Sequence, residues 1–283
     1  MAVSGGVDSM VLLDILRRQP QLELVVAHYD HGIRPDSGQD RRLVQKYAEQ
    51  HNLVFEYEQG SLGFNTSEAT ARDKRYGFLR RVQQKHHADA IITAHHQDDL
   101  LETGILNMLR GTGRKGLSSL TSHPGMIRPL LKSTKQEIYD YAKEHSVNWR
   151  EDTTNTDERY LRNYIRRQIM PRLDHERQKM LDLLESTNEL NQNIDQILES
   201  EVKKSDVLPR QWFIMLPYNV SCEVMATWLR QNNINDFDRP LIERLTVVAK
   251  TKIAGKIAPI NARFQMQIGK QDLRLQEIAK SRV

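Results

Sequence analysis

The stretch with the clearest chemical potential is Ser4-Gly5-Gly6-Val7-Asp8-Ser9. Two glycines leave the main chain open to close approach, and the residues after them read as the start of a helix. Backbone N–H groups at such a start converge on an anion. Ser4 and Ser9 add hydroxyl donors. Asp8 would repel a phosphate unless a cation stood between them, which implies Mg²⁺. The loop is not of the Walker type, because no lysine precedes Ser9. The plain alternative is an ordinary Gly-Gly turn before a helix.

A second set is His95-His96-Gln97-Asp98-Asp99-Leu100-Leu101-Glu102. Asp98 or Asp99 shares a helix face with Glu102, since residues three or four apart are neighbours there. The plain reading is acidic stabilisation of a helix start, about 0.3–1 kcal/mol. Adjacent histidines on a strand end point to opposite faces, which speaks against a closed zinc site. A third set is basic. Arg159, Arg162 and Arg166 fall on one helical stripe beside Tyr160 and Tyr164, a pattern that suits RNA phosphates and unstacked bases. A solvated arginine face competes with it. Gly111-Thr112-Gly113-Arg114-Lys115-Gly116 has dinucleotide-like glycine spacing but follows a helix, so that reading fails its context. A basic flap over the site, with Arg114 toward RNA, is the expectation.

These residues need elements to hold them. Met1-Ala2-Val3 reads as a short strand, and Met10 to Leu16 as a helix with an apolar face. Leu22 to His28 is a buried-strand pattern. It ends on His28, Tyr29 and Asp30, where ligands of open α/β sheets sit, so His28 and Asp30 are candidates for nucleotide contact. Helices are expected over 38–52 and from Thr66 toward His86, the latter carrying Arg72, Arg75 and Arg80. Strands are expected over 53–57 and 90–94, and a further helix from Ser133 to His145. Beyond Pro171 the chain turns polar-helical. The expected division is a catalytic domain over 1–185 and an accessory domain over 186–283. In the latter, helices are expected at 221–232 and 238–250 and strands at 252–258, 264–268 and 272–276.

The chain has 283 residues, 39% hydrophobic and 28% charged, as a soluble globular protein would. No apolar run is long enough to span a bilayer, and no signal-peptide pattern opens the sequence. One cysteine, Cys222, rules out an internal disulfide or a multi-cysteine centre within this chain, and fits a reducing cytoplasm. A net charge of +4 permits a phosphate or RNA partner without demanding one.

Taken together, the motifs resemble the tRNA(Ile)-lysidine synthetase family of PP-loop ATP pyrophosphatases. The carriers are Ser4 to Ser9, His28 to Arg34, Glu68-Ala69 with Arg72 and Arg75-Tyr76, Thr93 to Thr103, Arg110 to Gly113, Asn155 to Tyr160, Arg162-Asn163 and Pro171. They run in order through the first two thirds of the chain. Tyr29-Asp30 departs from a commoner Val-Asn. The resemblance implies an α/β fold with a doubly wound, mainly parallel sheet of the adenine nucleotide α-hydrolase kind, followed by a smaller helical or α+β domain. It also implies ATP, free L-lysine, and a tRNA(Ile) with a CAU anticodon as substrates, with no membrane partner; a homodimer is a further expectation. Ser4, Gly5, Gly6, Val7, Asp8, Ser9, His28 and Asp30 would bind nucleotide, with Asp8 holding Mg²⁺. Arg72 would stabilise charge on the α-phosphate. Asp99 and Glu102, with His95, would hold lysine, one carboxylate serving as base. The rival readings are another PP-loop enzyme, such as a tRNA base thiolase, and a non-catalytic ATP-gated RNA-binding protein.

Overall fold

A computed structural model describes residues 1–32, 37–60, 68–123, 125–151, 161–173 and 175–278. The chain divides into two compact units, Met1–Asn188 and Glu189–Val283.

In the first unit, α1 (Val7–Arg17) follows the glycine loop, and β1 (Val25–Asp30), α2 (Ser37–Gln50), β2 (Val54–Gln59), α3 (Glu68–Lys85), β3 (Ile91–Ile92) and α4 (Gln97–Leu109) alternate after it. The short α5 (Arg114–Leu117), β4 (Met126–Ile127), α6 (Lys135–Glu144), the single turn α7 (Leu161–Tyr164) and α8 (Arg177–Glu201), which runs into the second unit, complete the series. β1 pairs in parallel with β2, and β3 with β4. Met1–Val3 joins the two pairs: Ala2 N–H donates to the Ile92 carbonyl at 2.9 Å, and Val3 N–H to the Ala27 carbonyl at 3.0 Å. The spatial order is therefore β2-β1-(Met1–Val3)-β3-β4. Its direction reverses between the opening segment and β3, and that is where a doubly wound sheet takes its ligand.

Side-chain alternation explains why helices cover both faces. Val26 packs with Met10, Leu13, Val44 and Ile138, from α1, α2 and α6. Its neighbours Ala27 and Tyr29 pack with Phe78 and Leu79 of α3. Buried Asp14 ties α1, α2 and α6 together, accepting from Tyr47 Oη at 2.6 Å, Tyr141 Oη at 2.9 Å and Arg17 Nε at 2.9 Å. Burial works against its charge, but those hydrogen bonds outweigh it and bring its pKa down to about 2. The stabilisation is complete above the unfolded value, 3.8, and is lost as pH falls through about 2. Urea midpoints measured between about pH 4 and pH 2 should therefore fall more steeply for the wild type than for Asp14→Asn. Equal slopes would remove Asp14 as an acid-sensitive tie.

The second unit is α+β. Its sheet runs β5-β8-β7-β6, from β5 (Val207–Pro209), β6 (Ile257–Pro259), β7 (Phe264–Ile268) and β8 (Asp272–Glu277), antiparallel throughout. With it, among the described residues, are the end of α8 and the helices α9 (Arg210–Met215), α10 (Tyr218–Gln231) and α11 (Arg239–Thr251). Phe213, Trp228, Leu229, Leu245, Met266 and Leu273 fill the core. The strand expected over 252–258 begins only at Ile257, because Gly255 turns the chain with φ +91°. Buried Arg210 donates to the carbonyls of Ala249, Gly269 and Lys252, pinning turns that have no strand of their own.

Candidate active site

Ser4–Ser9 leaves the carboxyl end of the central segment and enters α1. Gly5 adopts φ +95°, which lets the loop fold back on itself. Ser9 Oγ accepts from the N–H groups of Ser4 at 3.1 Å and Gly5 at 3.3 Å, and donates to the Gly6 carbonyl at 3.0 Å. Gly6, at the helix N-cap, supplies no side chain to cover the first helical N–H groups. Such a cradle suits phosphate oxygens. The loop is braced from behind. Arg150 N–H donates to the Gly5 carbonyl at 3.0 Å, while Arg150 Nε donates to Asp40 at 2.7 Å. A Cβ on Gly5 would come within 3.3 Å of the Asp40 Cβ, so the loop and this brace are closely packed.

Asp8 is 29% exposed, and the Lys135 ammonium sits 2.5 Å from its Oδ1. His96 Nε2 lies 3.8 Å from the same oxygen and 3.6 Å from Asp99 Oδ2. One imidazole thus links the glycine loop to the acidic helix start. His96 caps α4, with its Nδ1 accepting from Asp98 N–H at 3.2 Å, and Asp99 Oδ2 accepts from His96 N–H at 3.0 Å. Burial works against the Asp99 charge, but His96, His95, that backbone bond and Arg162 hold its pKa below the usual carboxylate range. No group of three or more His, Cys, Asp or Glu side chains among the described residues is arranged to hold a metal. A lone carboxylate that already carries a cation does fit Mg²⁺, which takes most of its ligands from phosphates and water.

Asp99 and Glu102 share a face of α4 but differ in surroundings. Glu102 is 1% exposed, with Arg166 Nε at 2.6 Å and Arg162 Nε at 3.2 Å. Asp99 is 16% exposed, and those guanidiniums stand 3.9 and 4.0 Å from it. Arg162 and Arg166, expected along an RNA-facing stripe, are thus turned onto α4. They lie where α7 passes into a wide-turned segment, Ile165–Ile169, and then a tight turn at Met170–Arg172. Arg159, the third member, lies outside the described residues. Asp98 is taken by Arg177, which also donates to Gln97 Oε1 at 2.9 Å.

On the other face, His95 Nδ1 is 2.8 Å from Thr93 Oγ1. Burial pushes its pKa down to about 4; Asp99 opposes this, and Arg128, Arg75 and Arg72 reinforce it. His95 is therefore neutral at pH 7. Arg72 lies over the Tyr76 ring, its guanidinium carbon 4.8 Å from the centroid. His28 is buried, bonded through Nδ1 to the Val3 carbonyl at 2.8 Å, and burial lowers its pKa. Buried Asp30 accepts from Gly32 N–H and Ser37 Oγ, each at 2.8 Å. Arg114 opens the half-buried turn α5, beyond Gly111 with φ +63°. The sequence reading missed Lys135, Asp40, Arg150 and Arg177. All four reach the site from distant segments, and only the Thr134/Glu137 capping box beside Lys135 is a local signal.

The family described as the PP-loop domain matches residues 1–173. A tRNA(Ile)-lysidine synthase of Thermotoga sp. (strain RQ2) is 41% identical over 181 residues, covering 60% of this chain and 44% of that protein. One from Lactiplantibacillus plantarum is 31% identical over 290 residues, covering 94% of this chain and 64% of that protein. This chain thus spans under two thirds of each. Among solved structures, a U34-tRNA thiolase of Methanococcus maripaludis superposes with a TM-score of 0.57 at 19% identity, covering 67% of this chain and 71% of that one. That likeness bears on the fold, and the α/β expectation holds.

Proposed function

Because this chain belongs to the PP-loop family, we propose that it uses ATP to join free L-lysine to carbon 2 of the wobble cytidine of a tRNA(Ile) bearing a CAU anticodon. The observation that carries this reading is the position of His96, 3.8 Å from Asp8 of the phosphate loop and 3.6 Å from Asp99. A seat for a triphosphate and a carboxylate able to collect an amine then adjoin across one ring. The names of the relatives support the same reaction.

In the first step the cytosine O2 attacks the α-phosphorus, and the bond to pyrophosphate breaks. Ser4–Ser9 holds the outer phosphates, and Arg72 meets charge on the α-phosphate. Asp8 would hold Mg²⁺, which would supply neutralising charge at those phosphates. In the second step the lysine ε-amine attacks carbon 2, gives up a proton, and AMP leaves with the oxygen. Freeing that amine at pH 7 costs about 4–5 kcal/mol, from a pKa near 10.4. Asp99 collects the cation and takes the proton. Glu102, closed in by two guanidiniums, keeps Arg162 and Arg166 in place. Arg114 and Arg159 contact RNA, as does the second unit. The reaction runs in the cytoplasm; among the described residues no helix is long and apolar enough to cross a membrane.

Labelled lysine should enter a tRNA(Ile) transcript only when ATP is present. Incorporation without ATP would contradict the mechanism. ATP turnover on tRNA with no lysine incorporated would favour a thiolase, and binding of ATP and tRNA with no pyrophosphate released would favour a binding protein.

A further inference from the structure

Phosphate loops of the Walker kind carry a lysine within the loop that reaches the outer phosphates. Ser4–Ser9 has none, and its one charged side chain, Asp8, is acidic. A triphosphate seated here would lack a protein cation from the loop itself. The structure brings one from 127 residues away: Lys135 Nζ lies 2.5 Å from Asp8 Oδ1.

The placement is built in. Lys135 is the first residue of α6, and Thr134 caps that helix. Thr134 Oγ1 accepts from Glu137 N–H at 3.2 Å, and Glu137 Oε2 accepts from Thr134 N–H at 2.7 Å. The preceding Ser133 carbonyl accepts from Gln97 N–H at 3.0 Å, tying the start of α6 to the start of α4. Ile138 and Ala142 are buried in the core shared with α1, which fixes the helix beside the loop. The ammonium lies 5.2 Å from the centroid of the Tyr139 ring, one turn on.

Local stability does not account for a lysine at this position. A cation at a helix N-terminus opposes the helix dipole. An ion pair as accessible as this one, with side chains 32% and 29% exposed, contributes little. That same accessibility leaves both groups within reach of a ligand in the loop.

We propose that Lys135 is the phosphate-binding lysine of this site. It rests on Asp8 when no nucleotide is bound, and bonds the outer phosphates of ATP and the pyrophosphate they become. The inference rests on the proposed function only in taking Ser4–Ser9 as the seat of those phosphates.

Calorimetry on the full chain, with magnesium pyrophosphate and AMP as separate probes, tests it without turnover. Lys135→Met should weaken pyrophosphate binding by about tenfold or more, leave AMP binding within about twofold, and keep the ligand-free unfolding temperature. Lys135→Arg should recover part of the loss. In the wild type, pyrophosphate should shield Lys135 from an amine-acetylating reagent, read by mass spectrometry, and AMP should not. That arm holds even if the variants fold poorly. Wild-type pyrophosphate affinity in Lys135→Met, or no shielding, would overturn the assignment and leave Lys135 a counter-ion of Asp8. A wild-type chain binding no pyrophosphate at all would remove the phosphate seat, and with it the proposed function as well.

Discussion

Asp99→Asn should leave the first half of the reaction running and stop the second. The asparagine side-chain oxygen can still accept from His96 N–H, now at 3.0 Å, so the start of α4 keeps its cap. What is lost is the charge that collects the lysine ammonium and the oxygen that takes its proton. General-base catalysis of this kind contributes about 10²–10⁴-fold. Single-turnover assays with labelled ATP and tRNA should show pyrophosphate released and an adenylated tRNA accumulating, while lysine transfer falls by that factor. Equal losses in both steps would move Asp99 into adenylation and leave the amine without its base.

Glu102→Ala should act on the fold before it acts on lysine. Removing one partner of a buried ion pair costs about 3–5 kcal/mol, because the remaining charge stays desolvated. Arg162 and Arg166 are 23% and 39% exposed, so water relieves part of that and the lower end applies. For a unit of this size, about 3 kcal/mol lowers the unfolding temperature by roughly 6–12 °C. Calorimetric unfolding measures it, and ATP and lysine requirements should rise together in the variant. A wild-type unfolding temperature with only the lysine requirement raised would make Glu102 a lysine ligand instead.

How legible each part was depends on how local its cause is. The glycine loop, the strand end at His95 and the acidic helix start could be read because each is a run of neighbouring residues whose backbone roles follow from residue type. The α/β order followed from alternating apolar runs. β7 was read at its true bounds for the same reason, since Met266 and Ile268 alternate with polar neighbours. Met1–Val3 reads only as a short strand, yet it is central, because β1 and β3 both bond to it. The partners of the site were hidden. Lys135 on Asp8, Arg177 on Asp98 and the Arg150–Asp40 brace each join segments about 80 residues or more apart, and no spacing rule reaches that far. The arginine stripe was read from helical periodicity alone. Periodicity places Arg162 and Arg166 on one face but does not say what that face meets; in the fold it meets Glu102.

The triphosphate is expected in the Ser4–Ser9 cradle, running with its outer phosphates inward. A crystal structure of the chain with Mg²⁺ and a non-hydrolysable ATP analogue measures this placement directly. The β- and γ-phosphates should lie on the N–H groups of Ser4–Ser9, with the α-phosphorus turned toward the edge that carries His95 and Asp99. A triphosphate bound elsewhere, or threaded with its γ-phosphate toward Asp99, would contradict the account.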